Sequence, residues 1–129
     1  MRDFTLETFT LLLQELKAQG YTFQTFRDFL KAPAPKAIVL RHDVDARKLN
    51  SLQTARLEAE LGIAGTYYFR MVPKSFDPDI IQQIAAMGHE IGYHYEDLAL
   101  AKGNRDIAIK LFEQHLAKLR QVVPIDTIC

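Results

Sequence analysis

The fold is indicated first by residues 37–45, which read AIVLRHDVD. Residues 37–40 form a short, uninterrupted apolar run, which is typical of a strand that is buried on both faces of a parallel sheet. Polar residues follow at 41–45, where such a strand ends. Since side chains two positions apart share one face of an extended backbone, Asp43 and Asp45 are expected to point to the same side.

Beyond this first strand, helical and strand patterns alternate along the chain. Each predicted helix has a regular apolar stripe, and each predicted strand is a short β-branched, aromatic or apolar run. This alternation predicts right-handed crossovers and an α/β fold with about four parallel strands. The predicted helices are 49–61, 78–87 and 105–122, and the further strands are 66–69, 90–94 and 125–129.

Residues 1–36 have a different character. Residues 5–18 predict an amphipathic helix that ends before Gly20, and residues 25–30 predict a shorter helical turn. Two prolines in residues 31–36 favour an extended connection. We therefore expect a helical N-terminal segment, 1–36, followed by the α/β part, 37–129, within a single structural domain.

Composition excludes several classes of partner. The 129 residues suffice for one domain, and 16 basic residues balance 16 acidic ones. Because a nucleic acid or an anionic membrane surface would attract a basic excess, neither is an expected partner. The start of the chain has no apolar core of a signal peptide, so a cytoplasmic location is expected. Cys129, the single cysteine, excludes an intrachain disulfide and is interpreted as incidental.

The residues that suggest a metal-binding or catalytic site follow the carboxyl ends of two predicted strands. Residues 41–45 follow the first strand, and residues 94–97, which read HYED, follow the third. Parallel sheets place functional residues at this edge, and carboxylates with imidazoles are ligands for divalent metal ions. The alternative for Asp45 is a structural one, because an acid at a strand-to-helix turn often caps the next helix.

Three blocks of sequence resemble the polysaccharide deacetylase superfamily, the NodB-homology or carbohydrate esterase family 4 fold. These blocks are VLRHDVD at 39–45, GIAGTYYF at 62–69 and GHEIGYH at 88–94. The resemblance implies a partial (β/α) barrel and hydrolysis of acetyl groups on a carbohydrate, with a metal held by an aspartate and two histidines. By position, it makes Asp43 the catalytic base and Asp45 and His94 metal ligands, with zinc the expected ion.

The chain departs from that family in two respects. Leu98 stands where the second histidine ligand is expected, so Glu96 or Asp97 is a candidate replacement donor. The later family motifs, which include an arginine that orients the base and a histidine that acts as general acid, would lie beyond Cys129. The resemblance therefore implies the first half of a barrel, whose exposed surfaces are expected to form a homodimer.

The remaining polar and aromatic candidates have weaker support. Arg41, Tyr93 and Tyr95 are candidate substrate-binding residues for an acetylated carbohydrate. His42 is expected on the opposite face from the aspartates, His89 in solvent, and His115 at the rim of the core. Two other functions stay open: an inactive fragment that acts by self-association, and, ranked lower, a receiver-like phosphoacceptor domain.

Overall fold

The computed structural model describes residues 3–129 and contains two small parallel sheets with helices around them. The α/β class predicted from the sequence is confirmed. In chain order the elements are α1 (Leu6–Ala18), β1 (Thr22–Phe23), α2 (Phe26–Lys31), β2 (Ala37–Ile38), β3 (Arg41–Val44), α3 (Lys48–Glu60), β4 (Thr66–Phe69), α4 (Pro78–Ala86), β5 (Glu90–Tyr93), α5 (Asp97–Leu100) and α6 (Arg105–Arg120).

The main sheet has the strand order β3-β4-β5, and all of its strands are parallel. The last residues of the chain extend this sheet beside β5 through a parallel bridge between Tyr93 and Ile128. The amide of Tyr93 donates to the carbonyl of Thr127 at 3.2 Å, and the amide of Cys129 donates to the carbonyl of Tyr93 at 3.0 Å. The C-terminal residues therefore take the position expected for a fourth parallel strand.

The first strand differs from the prediction. Ala37–Ile38 pairs with Thr22–Phe23 in the separate two-stranded sheet, and Arg41–Val44 is the strand that pairs with β4. An apolar run favours burial, but it does not specify which strand it pairs with. Consequently Asp43 lies within β3, and Asp45 lies just after its end.

One face of the main sheet packs against α3, α4 and α6 and forms the core. The ends of α4 follow its sequence signals: Pro78 begins the helix, and Asp77 Oδ1 accepts hydrogen bonds from the amides of Asp79 and Ile80 at 3.1 and 3.3 Å. Buried apolar side chains on this face of the sheet and on these helices include Val44, Tyr67, Phe69, Ile80, Ile81, Ile84, Ile91, Tyr93 and Leu119.

The other face of the sheet is polar, and the N-terminal segment closes one end of it. The amide of Phe26 donates to Thr66 Oγ1 at 2.9 Å, and the amide of Arg27 donates to Glu90 Oε1 at 2.8 Å. The segment is thus part of the same folded unit as the sheet. Across residues 3–129, none of the helices combines the length and apolar character needed to cross a membrane.

Candidate metal centre at the carboxyl edge of the sheet

Three residues singled out in the sequence meet at the carboxyl edge of the main sheet. Asp43 lies in β3, Asp45 follows that strand, and His94 follows β5. Asp45 Oδ1 lies 3.5 Å from His94 Nε2. Asp43, His94 and Cys129 each place one potential ligand atom within 4.8 Å of the others. The fold therefore brings two carboxylates, an imidazole and a thiol together.

Asp43 is paired with Arg41, which lies two positions earlier on the same face of β3. Arg41 Nε donates to Oδ1 at 2.9 Å and Nη2 donates to Oδ2 at 3.0 Å. These hydrogen bonds lower the pKa of Asp43 and outweigh the opposing effect of partial burial. Each carboxylate oxygen keeps a lone pair for another partner, so a charged Asp43 remains able to bind a cation or accept a proton.

Cys129 is the member of this cluster that sequence reasoning missed. Its Sγ lies 3.4 Å from His94 Nδ1, and burial raises the pKa of the thiol. No basic residue next to Cys129 in the sequence marks it as reactive. Its proximity to His94 arises from the pairing of residues 127–129 with β5, which no local pattern reveals.

The two replacement donors suggested by the sequence have other partners. Both oxygens of Glu96 accept from Arg70 Nη2, at 2.9 and 3.0 Å. Asp97 is buried, where Oδ2 accepts from Tyr93 Oη at 2.6 Å and Oδ1 lies 2.6 Å from His115 Nδ1. Both carboxylates are thus occupied outside the cluster.

The tyrosines that flank His94 differ in exposure, although both rings lie against Phe112. Tyr93 is buried on the helix-covered face, where burial raises the pKa of its hydroxyl. Tyr95 is 47% exposed and lies edge-on to Phe112, with a centroid separation of 5.8 Å. Arg41, the third candidate for substrate binding, is the one that stands beside Asp43.

The remaining histidines lie outside this cluster. His42 points to the opposite face from Asp43, as expected, and its Nε2 contacts Oε1 of the fully buried Glu58. The expectation that His89 faces solvent is wrong. Its Nδ1 accepts from the amide of Gly65 at 2.9 Å and its Nε2 donates to the carbonyl of Ala55 at 2.8 Å, because the turn after α4 directs the ring beneath α3. His115 is half-buried on α6, as expected.

Open space borders the cluster on two sides. A groove of about 460 Å³ runs between β3 and α3, and its lining includes Arg41, Asp43 and Asp45. A smaller cavity of about 200 Å³, lined in part by Arg41, Tyr68 and Cys129, lies on the polar face of the sheet. A small polar ligand therefore has room to approach the carboxylates.

The donor set suits a divalent transition metal. Zinc accepts imidazole nitrogen, thiolate sulfur and carboxylate oxygen, which are the atoms that Asp43, Asp45, His94 and Cys129 present. The fold and site thus define an α/β protein with a candidate metal centre at the carboxyl edge of its parallel sheet. No protein-family model, curated protein or solved structure matches the chain.

Proposed function

We propose that this chain is a metal-dependent hydrolase of the polysaccharide deacetylase type, which releases acetate from an acetylated amino sugar. Its sheet would correspond to a partial (β/α) barrel of about four parallel strands. The observation that carries the proposal is the convergence of Asp43, Asp45 and His94 at the edge where parallel sheets hold their functional residues.

The separation of Asp45 Oδ1 and His94 Nε2 is suitable for two ligands of one ion. Two ligands at about 2.0–2.1 Å from a tetrahedral zinc lie about 3.3 Å apart, and the observed separation is 3.5 Å. A bound divalent ion would supply a water of lowered pKa and a positive charge to stabilise the oxyanion.

Asp43 is the proposed proton acceptor. The bidentate contact with Arg41 fixes the direction of the carboxylate and lowers its pKa, so the group is ionised at neutral pH. A base of low pKa takes a proton readily only from an acidified water. Arg41, from the same strand, would orient the Asp43 carboxylate, a role that the resemblance assigns to an arginine of a later motif.

Metal binding and acetate release test this function together. Wild type is titrated with Zn²⁺ and Ni²⁺ by calorimetry and assayed on N-acetylated amino-sugar oligomers. We expect the wild type to bind metal and release acetate, and His94→Gln and Asp43→Asn to lower kcat/KM by about 100-fold or more. Glu60→Gln, at the exposed end of α3, serves as the control with unchanged activity. Absence of metal binding, or of acetate release, in the wild type contradicts the proposal.

Self-association is a second proposal, which an exposed apolar surface favours. Tyr95, Leu98 and Ile109 are each about half-exposed and line a groove of about 300 Å³ beside α6. Contiguous exposed apolar surface marks interaction sites, and a two-fold homodimer is the simplest assembly that would cover it. Sedimentation at micromolar concentration should show a dimer that Ile109→Glu dissociates; a monomeric wild type would exclude it.

A further inference from the structure

We infer that Cys129 is a thiolate ligand of the metal centre, and that the ion is bound by Asp43, His94 Nδ1 and Cys129. The inference rests on the proposed function insofar as it requires a bound metal. It names the ligand that takes the place of the missing second histidine, where the chain has Leu98.

The distance between Cys129 and His94 fits this arrangement. A tetrahedral zinc bound to sulfur at about 2.3 Å and to nitrogen at about 2.0–2.1 Å separates the two donors by about 3.6 Å. The observed distance from Sγ to Nδ1 is 3.4 Å. Asp43 also places an oxygen within 4.8 Å of the thiol and of a ring nitrogen of His94, so small side-chain rotations would complete a three-ligand set.

The backbone fixes Cys129 beside His94. The amide of Cys129 donates to the carbonyl of Tyr93 at 3.0 Å, and the carbonyl of Cys129 accepts from the amide of Tyr95 at 3.0 Å. These two hydrogen bonds lie on either side of His94 in the sequence. They fix the backbone of Cys129 beside that of His94.

The two nitrogens of His94 have different neighbours. Nδ1 lies 3.4 Å from the thiol of Cys129, whereas Nε2 lies 3.5 Å from Asp45 Oδ1. The Asp43 carboxylate belongs to the same cluster as the thiol and the imidazole. Zinc centres generally use three or more protein ligands, and the ring nitrogen that does not bind metal commonly donates to a carboxylate. The Nδ1 side satisfies the first requirement and Asp45 satisfies the second. In this ligand set Asp43 binds the ion and Asp45 orients His94, so the set differs from that of the proposed function, in which Asp45 binds the ion and Asp43 accepts the proton.

Cobalt spectroscopy tests the sulfur–metal bond directly. A hydrogen bond between Sγ and Nδ1 would have the same length as the observed contact, and a charge-transfer band distinguishes it from a sulfur–metal bond. Because the chain has one cysteine, a near-ultraviolet sulfur-to-cobalt charge-transfer band reports on Cys129. The full 129-residue chain is titrated with Co²⁺, alongside Cys129→Ser, Cys129→Ala, Asp43→Asn and Asp45→Asn, each checked for folding by circular dichroism.

We expect the band in the wild type and its loss in both Cys129 variants, with about tenfold or greater weakening of Co²⁺ and Zn²⁺ binding. Asp43→Asn should weaken metal binding more than Asp45→Asn does. If the wild type binds cobalt without the band, and Cys129→Ser binds it equally well, the inference is overturned while the proposed function stands. If Asp45→Asn has the larger effect, the assignment of Asp43 as ligand is overturned. If the wild type binds no metal, the inference and the proposed function both fail.

Discussion

Arg41 and Asp43 form a bidentate ion pair on the polar face of β3, with Nε 2.9 Å from Oδ1 and Nη2 3.0 Å from Oδ2. Alternate residues of a strand share a face, so the pair is formed between near neighbours in sequence. It gives Asp43 a fixed direction at the edge where His94 and Cys129 converge. The ion pair that lowers the pKa of Asp43 is therefore formed within a single strand.

Replacing Arg41 with Met should raise the pKa of Asp43 toward its ordinary value, since the hydrogen bonds that lower this pKa are removed. The lowered pKa in the folded state contributes stability above the unfolded pKa, and this contribution is lost as the pH falls through the folded pKa. For this half-exposed pair, Arg41→Met should lower the free energy of unfolding by less than about 1 kcal/mol at neutral pH. The difference should disappear in strong acid.

NMR titration of the Asp43 carboxyl, with urea unfolding at several pH values, measures both effects. Arg47→Met is the matched control, because Arg47 lines the same groove and its side chain caps no helix amide. An Asp43 pKa that is unchanged in Arg41→Met would show that the ion pair does not control this carboxylate.

Replacing Glu58 with Ala should lower the free energy of unfolding by about 3 kcal/mol. Glu58 is fully buried on α3, where it contacts His42 and accepts from Tyr67 Oη at 2.8 Å. Its removal leaves both groups without this partner. Chemical denaturation measures the change, and Glu60→Ala, on the exposed side of the same helix, should have almost no effect. Equal denaturation midpoints for the two variants would contradict the expectation.

Replacing Gly92 with Ala should destabilise the sheet by about 2 kcal/mol, because a Cβ at this position overlaps the neighbouring strand. The added atom would lie 2.2 Å from Tyr68 Cε1 and 3.0 Å from the carbonyl oxygen of Thr127. Urea unfolding of a double-mutant cycle with Tyr68→Ala separates the two contacts. The loss of unfolding free energy caused by Gly92→Ala should be smaller in the Tyr68→Ala background. An unchanged loss would show that the strain comes from the carbonyl oxygen of Thr127 instead.

Replacing Tyr93 with Phe should destabilise the fold by about 1–2 kcal/mol and leave substrate binding unchanged. The lost hydroxyl donates to the buried Asp97 at 2.6 Å on the helix-covered face, away from Asp43. Thermal unfolding and the KM for an acetylated amino-sugar oligomer measure the two effects. Normal stability with a raised KM would support the alternative role, inferred from the sequence, in substrate binding.

Local signals in the sequence predicted five of the six helices in residues 3–129 and missed the short α5. Asp77 and Pro78 mark the beginning of α4 because a carboxylate accepts from free amides and proline needs no donor there. The apolar residues of 37–40 indicated burial but not pairing, and the structure divides this region between two sheets. Which strand lies alongside depends on the rest of the chain, and a single apolar run does not specify it.

The sequence by itself determined the α/β class and the helix ends, because periodicity and capping act locally. The alternation of strands and helices also predicted that Asp43, Asp45 and His94 lie at one edge of a parallel sheet. Only the tertiary structure decided that His89 is buried, that Glu96 and Asp97 bind other partners, and that Cys129 adjoins His94. These contacts join residues distant in sequence, or depend on which face a side chain meets. The packing of the chain creates these contacts, and the spacing of residues within one segment does not encode them.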